Sequence, residues 1–268
     1  MSEQSLLDGS ILSEVCDPYP MFAAMRRSQR IARVEVEGQV FRIVLRYDDV
    51  SQVLRDPETF SSSIMHDVMG PVMGRTILEM NGRTHTVHRS LVSGAFRPQA
   101  IERYAKMLVE PLVDECIGAI QRNGPRAELV SQLTSHYPLT VIARLLGVPI
   151  SDYQQFQKWS LDLIGYRATR PEPGLAASRA LKAFLAPIID QRRQQPQEDL
   201  ISELLAAEVE GERLSQDDIF GFLLLLLPAG AETTFRLLGN VLFALLSHPE
   251  QLEEVRSDRT QLDWALEE

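Results

Sequence analysis

Cysteine is almost missing from this 268-residue chain: Cys16 and Cys116 are its only two. Two thiols cannot form a disulfide scaffold, and so low a count fits a reducing compartment. Neither stands in the Cys/His spacing of a structural metal site. Lysine is scarce as well, with Lys106, Lys158 and Lys182 alone, and the formal net charge is -10. A surface that acidic repels phosphates, which argues against nucleic acid as a partner. The opening residues Met1-Ser2-Glu3-Gln4-Ser5 lack a basic segment followed by an apolar one, so no signal peptide or anchor is expected and the cytoplasm is the expected location. The longest apolar run, Ile219 to Ala231, is shorter than the ~18–20 residues a bilayer span requires, and Glu232 and Arg236 close it, so no membrane partner is expected.

With 44% hydrophobic and 24% charged residues, the composition is that of a globular protein with a sizeable core. Asp17-Pro18 opens a short helix through Met25-Arg26. Alternation in Arg33–Val36 and Val40–Leu45, joined at Glu37-Gly38-Gln39, predicts a β hairpin. A helix containing Val50, Val53 and Leu54 ends at Asp56-Pro57. Ser61 to Thr76 shows no stable period and is rich in Ser, Met and Gly, which predicts a long loop. Its Met69 and Met73 could adapt to an apolar ligand or equally pack on the core.

From Pro98 onward the pattern is helical. Ile101, Tyr104, Leu108, Leu112, Cys116 and Ile120 recur every three or four places, so Cys116 reads as core. Leu129–Leu146 predicts another helix, stopped by Gly147 and Pro149, with Ser151 capping the next. A polar break at Arg167–Gly174 precedes the helix carrying Leu181, Leu185 and Ile189. A short helix follows Asp199, and Glu210-Gly211-Glu212 turns the chain.

Leu214 to Leu246 is the axle of the fold. Ser215 is a plausible N-cap, with Asp217 and Asp218 at the positive end of the helix dipole. Ile219 to Leu227 is apolar on every side and must be buried all round. Pro228, Gly230, Glu232, Thr233 and Thr234 then interrupt it with a missing donor, a bare backbone, an acid and two hydroxyls. On the residues alone this is either a Pro-kinked core helix whose Thr hydroxyls bond back to the preceding turn, or a helix interrupted for chemistry.

Ala229-Gly230-Ala231-Glu232-Thr233-Thr234 resembles the A-G-x-[DE]-T-[TS] signature of haem-thiolate monooxygenases, the cytochrome P-450 superfamily. A second stretch carries the same resemblance. His85 and Arg89 are four apart, so on a helix they share one face and can grip one anion together. They match that family's H-x-x-x-R, and Leu91-Val92-Ser93 to Phe96-Arg97-Pro98 resembles the segment that follows it. Arg46–Ser62 and Leu145–Pro149 are similar too, so the resemblance covers nearly the whole chain.

The resemblance implies a mainly α protein with a small β hairpin, a single domain over 1–268 comprising the N-terminal two thirds of the cytochrome P-450 fold. It implies a haem whose propionates His85 and Arg89 bind and whose distal face Ala229 and Gly230 line, with Glu232 and Thr233 relaying protons to dioxygen. The Met69/Met73 loop would contact substrate. The implied partners are a ferredoxin-type electron donor and its reductase, O2 and an apolar small molecule. Trp264-Ala265-Leu266-Glu267-Glu268 ends without cap or breaker, which predicts a truncated chain, with Glu268 resembling the Glu of the family's E-x-x-R pair. Neither Cys16 nor Cys116 has the context of the family's iron-ligating loop, so no metal ligand is assigned. The alternative expectation is a non-catalytic helical remnant or binding module.

Overall fold

The computed structural model describes residues 17–36, 39–149, 153–166 and 169–267; Cys16, the Glu37-Gly38 turn, the Ser151 cap and Glu268 lie outside them. The chain divides into two compact units, 1–64 and 65–268.

In the first unit, the Asp17 carboxylate accepts from the Tyr19 amide at 3.1 Å and starts α1 (Tyr19–Ser28). Strands β1 (Ile31–Val36) and β2 (Gln39–Val44) pair antiparallel from Ile31↔Val44 to Val36↔Gln39, the expected hairpin. Period-2 alternation buries Ala32 and Val34, while Ile31, Arg33 and Glu35 face out. Helix α2 (Tyr47–Arg55) follows, and an ion pair between Arg30 and Asp49 ties it to the hairpin's entry. The hydrogen bond from Arg30 holds the Asp49 carboxyl below its usual range.

The second unit is helical, and its first element departs from the sequence reading. The expected loop Ser61–Thr76 contains helix α3 (Ile64–Met73). Met65, Met69 and Met73, with Val68 and Val72, recur at the i, i+4 spacing that small and polar neighbours obscure. The helix stops at Gly74, whose φ of 73° suits glycine. Near its end the Val72 carbonyl accepts instead from the Ser178 hydroxyl at 2.5 Å.

Helix α4 (Gly82–Ser93) leads through a 3-10 turn, Gly94–Phe96, into α5 (Pro98–Tyr104). A π turn, Ala105–Val109, joins that to α6 (Glu110–Arg122), and it falls where Pro111 cannot donate to the preceding turn. A second π turn, Val130–Thr134, precedes α7 (His136–Leu146), which Gly147 ends at φ 65°. Then come α8 (Tyr153–Ile164), α9 (Glu172–Gln194) and α10 (Leu200–Ala206). Strands β3 (Glu208–Val209) and β4 (Glu212–Arg213) form a second hairpin across the Glu210-Gly211 turn, both residues having positive φ. The chain continues into α11 (Gln216–Ser247), α12 (Pro249–Ser257) and α13 (Leu262–Glu267).

The N-terminal half of α11 is the core's centre. Ile219, Leu223, Leu224 and Leu227 are fully enclosed, in one cluster with Leu139 and Leu146 of α7, Leu163 of α8, Leu181, Leu185 and Ile189 of α9, and Leu200 of α10. Each such burial stabilises by about 1.5–3 kcal/mol. Phe156 extends it with edge-on contacts to Trp159 and Phe184, the closer at 5.7 Å between centroids. At Gly221 the chain admits no side chain, because an added Cβ would lie 2.1 Å from the Arg75 carbonyl oxygen. By length and apolarity α11 could cross a membrane, yet its most apolar half is enclosed by other helices where a bilayer would have to be. The architecture is therefore mainly α with small antiparallel hairpins, as the sequence implied, the second hairpin being an addition.

Candidate functional site

Helix α4 is seated by Val87, Leu91 and Val92, which are buried and recur at helical spacing. That seating sets the two predicted anion-gripping residues one turn apart on a single face, with His85 half-buried and Arg89 exposed. Among the described residues neither side chain makes an ion pair or a hydrogen bond. The neighbouring basic groups are engaged: Arg83 reaches Glu212 at 2.6 Å and Glu210 at 2.8 Å on the β3–β4 hairpin. His85 and Arg89 are thus two unused donors in reach of one acidic ligand.

His88, which the sequence reading passed over, lies between α4 and α11. Its Nδ1 is 3.0 Å from the Thr84 carbonyl oxygen, and its Nε2 is 3.4 Å from Oδ1 of Asp218. Asp218 is the third residue of a complete capping box: Ser215 Oγ accepts from the Asp218 amide at 3.1 Å, and Asp218 Oδ2 accepts from the Ser215 amide at 3.0 Å. Burial works against a charge on Asp218. The Ser215 hydrogen bonds, with His88 and Arg75 beside it, outweigh that and hold the carboxyl below its ordinary range.

Helix α11 runs unbroken from Gln216 to Ser247, with Pro228 inside it. Thr233 Oγ1 donates to the Ala229 carbonyl at 2.6 Å, the back-bond expected of a threonine in a helix. Its oxygen is left as an acceptor on an exposed face that also carries Ala229, Leu237 and Phe243. Glu232 lines a small cleft with Leu139, Gln157, Ser160, Ala231 and Phe235. Its carboxylate accepts from Arg236 Nε at 2.9 Å, and its side chain keeps 18% of its exposure. The acid is therefore charge-paired, half-sheltered and open to solvent through the cleft. Gly230 abuts α7: an added Cβ would meet Ile142 Cδ1 at 2.6 Å, so its smallness serves a close helix–helix approach.

Met69 and Met73 do not line that cleft. Met73 is 2% exposed and belongs to the hydrophobic core, and Met69 packs half-buried against it. Of the two readings that the sequence left open for these residues, the core one describes Met73. Cys116, on α6, is buried as predicted, and burial pushes its thiol pKa up, away from the thiolate a metal needs. Among the described residues no group of three or more His, Cys, Asp or Glu could hold a metal ion. The donor set fits the acidic periphery of a haem, and the described residues supply no axial thiolate.

A family model described as Cytochrome P450 matches residues 169–262. YjiB of Bacillus subtilis (strain 168), a protein named as a cytochrome P450, is 34% identical over 99% of this chain and 68% of its own length. The cytochrome P450 monooxygenase PikC of Streptomyces venezuelae is 35% identical over 94% of this chain and 62% of its own. The chain thus spans about two thirds of the length of the curated relatives it matches. The solved structure of cytochrome P450 CYP109Q5 from Chondromyces apiculatus superimposes with a TM-score of 0.81 at 30% identity, covering 98% of this chain and 67% of that one.

Proposed function

This chain belongs to the cytochrome P450 family, and from that premise we propose that the intact protein is a haem-dependent monooxygenase inserting one oxygen atom of O2 into an apolar small molecule. It would take electrons from a ferredoxin-type donor and its reductase, in the cytoplasm. One observation carries the reading. The same chain presents two basic side chains, His85 and Arg89, on one helix face without a partner among the described residues, and an acid and a hydroxyl, Glu232 and Thr233, at consecutive positions of the central helix.

Haem, when bound, supplies a redox-active iron at which dioxygen is activated. The chain's own residues do the remaining work. His85 and Arg89 would hold the propionates, two donors on one helix face. Ala229, small and exposed, would leave room beside the helix for a flat ligand, whereas Gly230 faces Ile142 of α7. Glu232 would pass protons between solvent and the site, its carboxylate oriented by the hydrogen bond from Arg236. Thr233, its own hydrogen tied to Ala229, accepts a hydrogen bond on the exposed face and orders what binds there.

The test begins with the DNA after codon 268. A reading frame that continues into a cysteine-bearing loop, and whose product gives the spectrum of a thiolate-ligated ferrous haem with carbon monoxide, supports the proposal. In that product Thr233→Ala should consume electrons with little oxygenated product, and coupled turnover in the variant rejects the role given to Thr233. A stop codon, together with a chain that melts cooperatively and takes up no haem, favours a non-catalytic helical module instead.

A further inference from the structure

In α4 the first buried residue is Val87, and two polar ties bracket it, at Arg83 and His88. Arg83 supplies one, to Glu210 and Glu212, but all three side chains are largely exposed and salt screens such pairs. The other is His88. Among the described ion pairs it is the one that joins α4 to α11, and it is sheltered, with 12% and 10% of the His88 and Asp218 side chains exposed.

Two contacts constrain that imidazole: a hydrogen bond at Nδ1 and a 3.4 Å approach to a carboxylate at Nε2. A carbonyl oxygen can only accept, so Nδ1 facing Thr84 carries a hydrogen. A neutral ring has no second hydrogen and would turn the Nε2 lone pair towards the Asp218 carboxylate. Turning the ring over would set carbon atoms against both acceptors. Only the doubly protonated ring satisfies both neighbours. The charged groups around the pair are Asp218 and Asp217 from α11, Arg75 at 3.8 Å from Asp218 Oδ1, and His85 and Arg89 on α4 itself.

We propose that His88 is a positioning residue: as an imidazolium between the Thr84 carbonyl and the Asp218 carboxylate, it clamps α4 to the N-terminus of α11 and so fixes where His85 and Arg89 point. His85 precedes it by three residues and Arg89 follows it by one, so any swing of the helix start displaces both. The clamp stands on this geometry alone; its consequence for haem rests on the function proposed above.

The experiment uses the 268-residue chain, following its imidazole nitrogens by NMR and the exchange of its α4 amides by mass spectrometry from about pH 5 to 8, where imidazoles in general titrate. At the acid end both His88 nitrogens should show attached hydrogens. Protection of 82–93, corrected for intrinsic exchange, should be several-fold lower at the alkaline end than at the acid end. His88→Gln should sit at the low level across the range, and His88→Lys, which restores the charge, should recover protection without the pH step. A single-hydrogen ring throughout, or His88→Gln exchanging like the parent chain at every pH, overturns the proposal. Should His88→Gln fail to fold, the parent chain's nitrogen spectrum and His88→Lys still decide it. A haemin titration separates the two readings: a demonstrated clamp, with His85→Ala/Arg89→Ala binding haemin as tightly as the parent chain, rejects the haem role of this face and leaves the clamp standing.

Discussion

At Gly230 an added methyl group would meet the terminal methyl of Ile142, so Gly230→Ala should lose to that contact most of the roughly 0.5–1 kcal/mol that Ala ordinarily gains over Gly in a helix. Ile142→Val in the same chain should recover part of that, and urea midpoints at constant m-value would show it. Arg192 and Asp199 offer a contrasting residue-scale test. They form an ion pair with 6% and 3% of the side chains exposed; Arg192 also donates to the Gly147 carbonyl at 3.0 Å, and Asp199 accepts from the Ser202 amide at 2.8 Å. Arg192→Leu should cost about 3–5 kcal/mol, because it leaves a buried charge unpaired, and adding Asp199→Asn should recover some of it. The i, i+4 spacing that puts His85 and Arg89 on one helix face is legible in the chain, while their joint role comes from the family resemblance. Pairings such as His88 with Asp218 are not legible, because nothing local in the sequence says which distant carboxylate an imidazole will meet.

Among elements, the capping box that starts α11 carries a pH signature. The Asp218 carboxyl lies below its ordinary range in the folded chain, so folding favours its charged form. That contribution is present above the unfolded-state value of roughly 3.9 and is lost as the pH falls through the lower folded value. Ser215→Ala removes the hydrogen bond that does most to depress it. The variant should be less stable near neutrality, by about 0.5–2 kcal/mol, and should lose less on acidification, which melts between pH 6 and 2.5 would measure. Elements with a strong period or a cap were readable in advance, α11 most clearly. Helix α3 was hidden because Ser61–Ser63, Gly70, Pro71 and Gly74 carry loop composition over a real i, i+4 pattern of methionine and valine. Strands β3 and β4, two residues each, are too short for alternation to show.

Across the whole molecule, apolar surface is distributed unevenly. While the first half of α11 is enclosed, Phe243 in its second half is 76% exposed and Trp264 on α13 is 73% exposed, with Leu237 and Leu246 also open. Apolar faces of that kind ordinarily meet a partner or ligand. The 268-residue chain should therefore bind an apolar dye such as ANS under native conditions. Phe243→Glu with Leu246→Lys should lower the fluorescence yet shift the melting temperature little, since these side chains bury so little.

The contact between Gly221 and the Arg75 carbonyl fixes an order of events in the life of the chain. It joins residues 146 positions apart, and the leucines that α11 completes reach back to Leu139. During synthesis every helix from α3 to α10 leaves the ribosome before the rod they surround exists. For that interval the inward faces of α7, α9 and α10 form an open, greasy slot. Closing it early would bar α11 from entry. The nascent protein must therefore stay loose until α11 arrives, and in that window it depends most on chaperones.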